Sequence, residues 1–442
     1  LSADGTRLAF ATIYVTTGVE QVIVFDYDAA NNAWNTVGSP MTGPNAASQG
    51  FGRDTAMNSD GTVLAMGAKG ANNGAGGVWT YAWDGADWAQ VGSVLLSTEI
   101  GNAQSLGAGL VMTSDGRKLV VGCNGADTAG NELVTFQAVS FPSPPPNQPL
   151  LPPPPPLPPR PPTPLAPPPL PLSPPLFYAA VGNYELTGRV ANFGDGYHMA
   201  MSGDGQRLLA GAAHTKMELY QWDNTLGARG EWTLVSEISH SGWGDLAISA
   251  DGTRFALDNG NANQVRIYAW PIGGTHSLLH TITSNQGGDP NYWGYYLDMS
   301  ADGQTVAFSA MGSASSRGHI EVWGADDATG ASWSQDGNDI PGADTGNYAG
   351  NHGVHLSADG LRVVFVEPVV DANSLVARVF DYDAPSNTWN EKAGISKTLV
   401  NQNDWVRLQL SADGARLAFA TIYVTTGVEQ VIVFDYDAAN NA

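Results

Sequence analysis

Ser2-Ala3-Asp4-Gly5, followed by Arg7-Leu8-Ala9-Phe10-Ala11, decides how this chain is read, because the phrase returns along its whole length. It recurs as Ser59-Asp60-Gly61, Ser114-Asp115-Gly116, Ser202-Gly203-Asp204-Gly205, Ser249-Ala250-Asp251-Gly252, Ser300-Ala301-Asp302-Gly303, Ser357-Ala358-Asp359-Gly360 and Ser411-Ala412-Asp413-Gly414. The aspartates stand 56, 55, 89, 47, 51, 57 and 54 residues apart, and removing a 34-residue proline tract brings the single outlier from 89 to 55. Self-similarity at a fixed period of this length marks a repeat architecture.

Each repeat reads as four strands. Strand A precedes the phrase and often opens on an aromatic-glycine pair, as in Phe51-Gly52, Phe193-Gly194, Trp243-Gly244 and Trp293-Gly294. The pairs at Asp4, Asp60, Asp115, Asp204, Asp251, Asp302, Asp359 and Asp413 are then hairpin turns in which Asp-Gly supplies the positive φ angles. Strand B follows at once, as in Thr305-Val306-Ala307-Phe308-Ser309. Strand C alternates with period two, as in Val22-Ile23-Val24-Phe25-Asp26-Tyr27 and Ile320-Glu321-Val322-Trp323, and strand D is led by Trp34, Trp88, Trp232, Trp333 or Trp389. Four antiparallel strands per repeat predict the blades of an all-β propeller.

Residues 410–442 repeat residues 1–33 with one difference, Thr6 against Ala415, whereas every other pair of repeats has diverged. A match at an offset of 409 residues makes the duplicated object seven blades. The expectation is a seven-bladed β-propeller of four-stranded antiparallel blades, closed by main-chain pairing between the ends of that unit. Residues 1–141 form blades one to the first part of three, 142–176 an insert, 177–409 the end of blade three to blade seven, and 410–442 the closure or the start of a next propeller.

The insert is the proline tract Pro142 to Pro175, with 21 prolines in 34 residues, against 7 prolines in the other 408. Proline fixes φ and removes the backbone donor, so the tract favours a polyproline II rod. At about 3.1 Å per residue it would reach roughly 100 Å. It begins just after Phe141, following a strand C at Leu133–Val139, and folded sequence resumes at Phe177-Tyr178 in the place of strand D. A to B and C to D turns share one face, so the rod leaves from the Asp-Gly face, and the B to C and D to A loops form the opposite one. Prolines leave their carbonyls and ring faces open to modifying enzymes. The candidates for hydroxylation and O-glycosylation are Pro144, Pro145, Pro146, Pro152, Pro153, Pro154, Pro155, Pro156, Pro158, Pro159, Pro161, Pro162, Pro167, Pro168, Pro169, Pro174 and Pro175, with Ser143 and Ser173. The chain contains no Asn-x-Ser/Thr sequon.

With 42 acidic against 19 basic side chains the net charge is −23, which disfavours nucleic acid and anionic membranes as partners. No run of 18 apolar residues is present, so direct membrane insertion is not expected. The single cysteine, Cys123, allows no intrachain disulfide and reads as a small buried residue.

The aromatic-glycine pair, the Asp-Gly hairpin, the small-residue strand Leu64-Ala65-Met66-Gly67-Ala68 and the following Gly77-Val78 together resemble the FG-GAP repeat of integrin-α-type propellers. That resemblance implies seven blades and, in some blades, calcium held by an Asp-x-Asp-x-Asp-Gly loop. None of the eight phrases carries that pattern, so calcium has no motif behind it and no cofactor is expected. The tract resembles the hydroxyproline-rich glycoproteins of green-algal walls and flagellar surfaces. The combination resembles an extracellular fibre protein of the mastigoneme kind.

Other chemistry is weighed against turn and packing roles. Asp26, Asp28, Asp84, Asp87, Asp326, Asp327, Asp381 and Asp383 near strand C ends could chelate calcium, but solvated turn residues fit the pattern better. Among His198, His214, His240, His276, His280, His319, His352 and His355 only two pairs are close in sequence, and neither shows a third zinc ligand. No Gly-x-Ser-x-Gly, P-loop or dinucleotide fingerprint appears. The expected function is a non-enzymatic structural subunit of an extracellular fibre or coat that self-assembles, its rod a glycosylated spacer or assembly contact. The alternatives are an adhesin or lectin-like propeller and, more remotely, a propeller-type glycosidase.

Overall fold

The structure is a computed structural model describing residues 1–12, 20–31, 33–43, 50–96, 105–123, 131–138, 184–193, 199–212, 216–226, 230–239, 245–259, 263–283, 293–311, 317–344, 348–369, 374–398, 405–422 and 429–435. The proline tract, with all its candidate prolines and serines, lies outside the described residues, as does Trp243-Gly244.

The described strands form eight separate antiparallel sheets of three to five strands, each ordered as in the sequence. Blade five shows the plan: strand A at Leu246–Ile248, B at Arg254–Asn259, C at Gln264–Ala269 and D at Ser277–Thr283. Strand B is covered on both faces by neighbouring blades, so it reads as an unbroken apolar run. Every residue of Val63–Gly67 and of Thr305–Ala310 is buried. The core accordingly lies between blades. Val22 and Val24 of blade one pack with Leu64, Met66 and Trp79 of blade two, and Val63 and Val78 pack with Leu119, Val121 and Val134 of blade three. In blades one, two and six strand D is split at a glycine with positive φ, namely Gly38, Gly92 and Gly337, and a short second segment returns to strand C.

Phe51-Gly52 shows why an aromatic-glycine pair can open a repeat. Phe51 is fully buried edge-on against Trp79, and a Cβ on Gly52, at φ +78, would lie 2.7 Å from that of Ala11. Phe193 departs from the expectation: it ends strand D of blade three, Tyr184–Phe193, rather than opening the next repeat.

The blade number corrects the sequence expectation: there are eight blades, not seven. Trp405–Leu410 pairs with Arg416–Ile422 rather than with the near-identical Arg7–Thr12, and with Glu429–Asp435 these strands make a sheet of their own. The physical reason is proximity. The local partner lies across a short turn and the distant copy some 400 residues away, a difference in chain-closure entropy of roughly 4 kcal/mol. The ring then closes between blade eight and blade one, where Ala412 N–H donates to the Ala3 carbonyl at 3.0 Å.

That bond is one of a cycle. Ala3 donates to Ser59, Ser59 to Ser114, Ser114 to Gly203, Gly203 to Ala250, Ala250 to Ala301, Ala301 to Ala358 and Ala358 to Ala412, all backbone N–H to carbonyl. The residue just before each phrase aspartate thus bonds to its counterpart in the next blade, and the eight turns form one hydrogen-bonded circle.

The turn itself differs from the expected geometry. Only its glycine has positive φ, +67 at Gly5 and +71 at Gly252, while no phrase aspartate does. Gly5 N–H donates to the Ser2 carbonyl, and Ser2 N–H to Arg7 O, giving a four-residue loop around a type I turn instead of a two-residue primed turn. Asp4 Oδ1 accepts from Ser2 Oγ at 2.6 Å and from Thr6 N–H at 3.0 Å, and Ser2 Oγ accepts from Arg7 N–H at 2.9 Å. The glycine is required twice, since a Cβ on Gly252 would also meet Arg207 Cδ at 2.7 Å and Ser202 Cβ at 3.0 Å in the preceding blade.

A cation reinforces most seams. Arg7 donates to Gly61 O at 3.1 Å and lies over the Trp83 and Trp88 rings of blade two, and Arg416 donates to Gly5 O at 2.9 Å and lies 3.6 Å from the Tyr27 ring centre. Lys118, Arg207, Arg254 and Arg362 reach Gly205, Gly252, Gly303 and Gly414 in the same way.

Two outcomes follow from the seams. Arg416→Ala removes a charge-assisted hydrogen bond and a cation–π contact at the closure, and should lower urea stability by about 2–3 kcal/mol, far more than a neutral surface substitution; a change under half a kilocalorie would mean that this seam is not held as described. Burial pushes the Lys118 ammonium down from 10.5 to about 8. The unfolded chain therefore binds more protons than the folded one between those values, and Lys118 contributes stability that rises with pH across about 8 to 10.5. Lys118→Met should flatten that rise in denaturation curves taken at successive pH.

Candidate functional site

The ring has two faces, and the sequence reading placed the extraordinary segment on the one that carries the A to B and C to D turns. In blade three, strand C runs Asn131–Ala138, and Ala138 is the register partner of Tyr184, the first residue of strand D. Ala138 N–H also donates to Arg117 O beside the Asp115 turn at 2.9 Å. The described strands of blade three thus end at 138 and resume at 184, at directly opposed backbone positions on the Asp-Gly face. Phe177-Tyr178 lie outside the described residues.

The carboxylates near strand C ends occupy this same face and hold local structure. Asp26 and Asp381 each take a bidentate pair from the arginine of their own blade, Arg7 and Arg362. Asp28 accepts from Asn31 Nδ2 at 2.7 Å and from the N–H of Ala30 at 3.0 Å; the Asn31 side chain first, then these backbone donors, lower its pKa. Asp84 accepts from the backbone of Ala86 and Asp87, and Asp383 from Ser386 Oγ. Asp87 reaches across a seam to Ser39 N–H, whose bond is the main cause of its lowered pKa. Asp326 and Asp327 are held low chiefly by the hydroxyls of Ser334 and Thr329. Among the described residues these eight carboxylates do not converge on a common ligand position.

Elsewhere polar groups do meet between blades. Asp298 of blade six accepts through Oδ2 from Leu356 N–H of blade seven at 2.9 Å, with His355 Nδ1 3.8 Å from the same oxygen. Enclosure between the two blades pushes the Asp298 carboxyl up and the His355 imidazole down. Glu20, buried, clasps the entry to blade two through Gly50 and Phe51 N–H. Glu367, also buried, accepts from Ala343 N–H and lies 3.6 Å from Arg378, with its pKa raised mainly by burial.

On blade six, His319 Nε2 stands 3.1 Å from Glu321 Oε1 and 3.8 Å from Asp339 Oδ2. These three ligand atoms lie within 4.8 Å of one another, a grouping the sequence reading did not make. His319-x-Glu321 on an alternating strand was a visible signal, since residues two apart share a face. Asp339 was not, because its register depends on the break in strand D at Gly337.

The two histidines of the His276/His280 pair face different blades. His276 packs on Tyr268 within blade five, whereas His280 lies against Trp323 of blade six. His355 belongs to the Asp298 contact just described. His198, His214 and His240 lie outside the described residues. Cys123 is buried in the core between blades two and three.

No protein-family model matches the sequence, and no curated protein matches it either. Solved structures do match the fold. Sqt1 of Chaetomium thermophilum bound to the N-terminus of the ribosomal protein L10 is 12% identical with a TM-score of 0.57, over 97% of this chain and 93% of that one. The Cps50 (Swd1) β-propeller domain of Myceliophteria thermophila is 12% identical with a TM-score of 0.50, over 89% of this chain and 100% of that one. The periplasmic gluconolactonase PpgL of Pseudomonas aeruginosa, 15% identical over 96% of this chain and 94% of that one, reaches a TM-score of 0.41, too low to carry an argument. What these likenesses show is the fold: the chain is a β-propeller.

Proposed function

We propose that the chain is a non-enzymatic structural subunit of an extracellular glycoprotein fibre or coat, an eight-bladed ring of FG-GAP-like repeats that carries a hydroxylated, O-glycosylated proline-rich segment as spacer or assembly contact. The observation that carries this reading is the register of Ala138 with Tyr184. Both ends of the segment are cross-strand partners in a sheet of four paired strands, so the ring clamps them side by side. A partner that grips the segment would pull on hydrogen-bonded strands rather than on a free tail. The proline content, 21 of the 34 residues from Pro142 to Pro175, supports a stiff exposed spacer, and a net charge of −23 supports a ring that packs with others only when salt, divalent cations or a neutral glycan layer screens it.

The test joins Ala138 to Tyr184 through a two-residue Asn-Gly turn, deleting everything between. The shortened ring should fold with an unchanged melting temperature but form no fibres by electron microscopy in the presence of salt and calcium. Fibres identical to those of the full chain would overturn the assembly role, and intact-mass analysis of native material that returned the unmodified peptide mass would overturn the glycosylated-spacer role.

A further inference from the structure

We propose that His319, Glu321 and Asp339 form a zinc site on blade six. The sequence builds it simply. His319 and Glu321 are two apart on strand C, His319–Ala325, and so project from the same face. The second segment of strand D pairs with strand C through His319 with Pro341 and Ile320 with Ile340, which brings Asp339, the next residue back, to the position across from Glu321.

Two carboxylates facing each other across an antiparallel pair repel, and here Glu321 and His319 are both buried. The outer oxygens of both carboxylates are already fixed by neutral donors. Trp323 Nε1 donates to Glu321 Oε2 at 2.9 Å, and Gln335 Nε2 donates to Asp339 Oδ1 at 2.7 Å. Glu321 Oε1 and Asp339 Oδ2 lie 3.1 and 3.8 Å from His319 Nε2. A tetrahedral zinc with bonds of about 2.0–2.2 Å places its ligand atoms roughly 3.3 Å apart, so small side-chain adjustments admit the ion. Outer partners that orient the ligating carboxylates are what such sites use.

The donor set selects the metal. One imidazole nitrogen with two carboxylate oxygens suits zinc, with water in the fourth position, and falls short of the six to eight oxygens that calcium takes. Asp339, 34% exposed, is the ligand through which the ion enters. The bound ion would tie the second segment of strand D to strand C across the break at Gly337, and the site is independent of the segment that leaves blade three.

The experiment uses the full chain, stripped with chelator and dialysed against zinc, with cobalt as spectroscopic probe. Expected are one zinc per chain, a rise in Tm with zinc but not with calcium, and cobalt absorption of the tetrahedral kind. Asp339→Asn should weaken zinc at least tenfold without changing the zinc-free melting curve. Gln335→Ala, which removes no ligand, should weaken it by about ten- to a hundredfold. The proposal is overturned if the chain binds no zinc at micromolar concentration, if both variants keep the affinity of the parent, or if calcium raises Tm as zinc does. In those cases His319 is the buried partner of Glu321 and nothing more.

Discussion

Everything in this ring depends on the backbone of one residue per blade, the one just before each phrase aspartate. The residue is exposed at six of the eight turns and half-buried at Gly203 and Ala358, so in an isolated blade its N–H and carbonyl would be left to water. The circle from Ala3 through Ala412 gives each of the eight both a donor and an acceptor. Much of the repeat's spelling follows. The residue is Ala, Ser or Gly, and at Gly203 a Cβ would meet Ser114 Oγ at 3.0 Å; the next is Asp because its carboxylate caps the loop, and the one after is Gly because φ is positive and the preceding blade lies against it. The recurrent phrase is thus a device for joining blades.

The seams also sort the charge. Arg7, Lys118, Arg207, Arg254, Arg362 and Arg416, six of the 19 basic residues, are turned into inter-blade contacts, while acids such as Asp28, Asp84 and Asp327 cap turns at the surface. The solvent therefore meets a surface more acidic than the net charge alone implies. Blade six shows what happens without the cation. Thr305 stands where its neighbours have Arg, and the aromatic pair of blade seven, Tyr382 and Trp389, is held instead by the Trp389 indole donating to Asp336 O at 2.7 Å.

The repeat period and the strand order were legible in the sequence, because each is a local pattern: turn residues at fixed offsets, then alternation. Blade number was not. The near-identity of residues 410–442 with 1–33 says which segments are alike, and the ring count depends on which of two equivalent partners Trp405–Leu410 pairs with, a question of chain connectivity. The turn type escaped for a related reason, since Asp-Gly fits both a primed two-residue turn and a longer loop, and it is the serine hydroxyl two residues before the aspartate that stabilises the second. At blade six the histidine and glutamate were readable as a same-face pair. Their third member was hidden behind a register set by one glycine.

Local pairing also orders the way the ring comes together. Each sheet is made of strands adjacent in sequence, so it can form without knowing how many others there are. Blade three is the exception, since its fourth strand returns after the longest excursion in the chain, and the extra closure entropy of that loop makes its strand D pairing the slowest to form among the sheets. Closure between blades eight and one orders no further strand. Among the described residues it adds one backbone bond, one arginine bond and two cation–π contacts between surfaces that are already folded, and so proceeds at little entropic cost once the blades exist. A ring assembled in that order takes the number of blades that the chain has already built, which is why a duplicated segment becomes an eighth blade instead of completing the first.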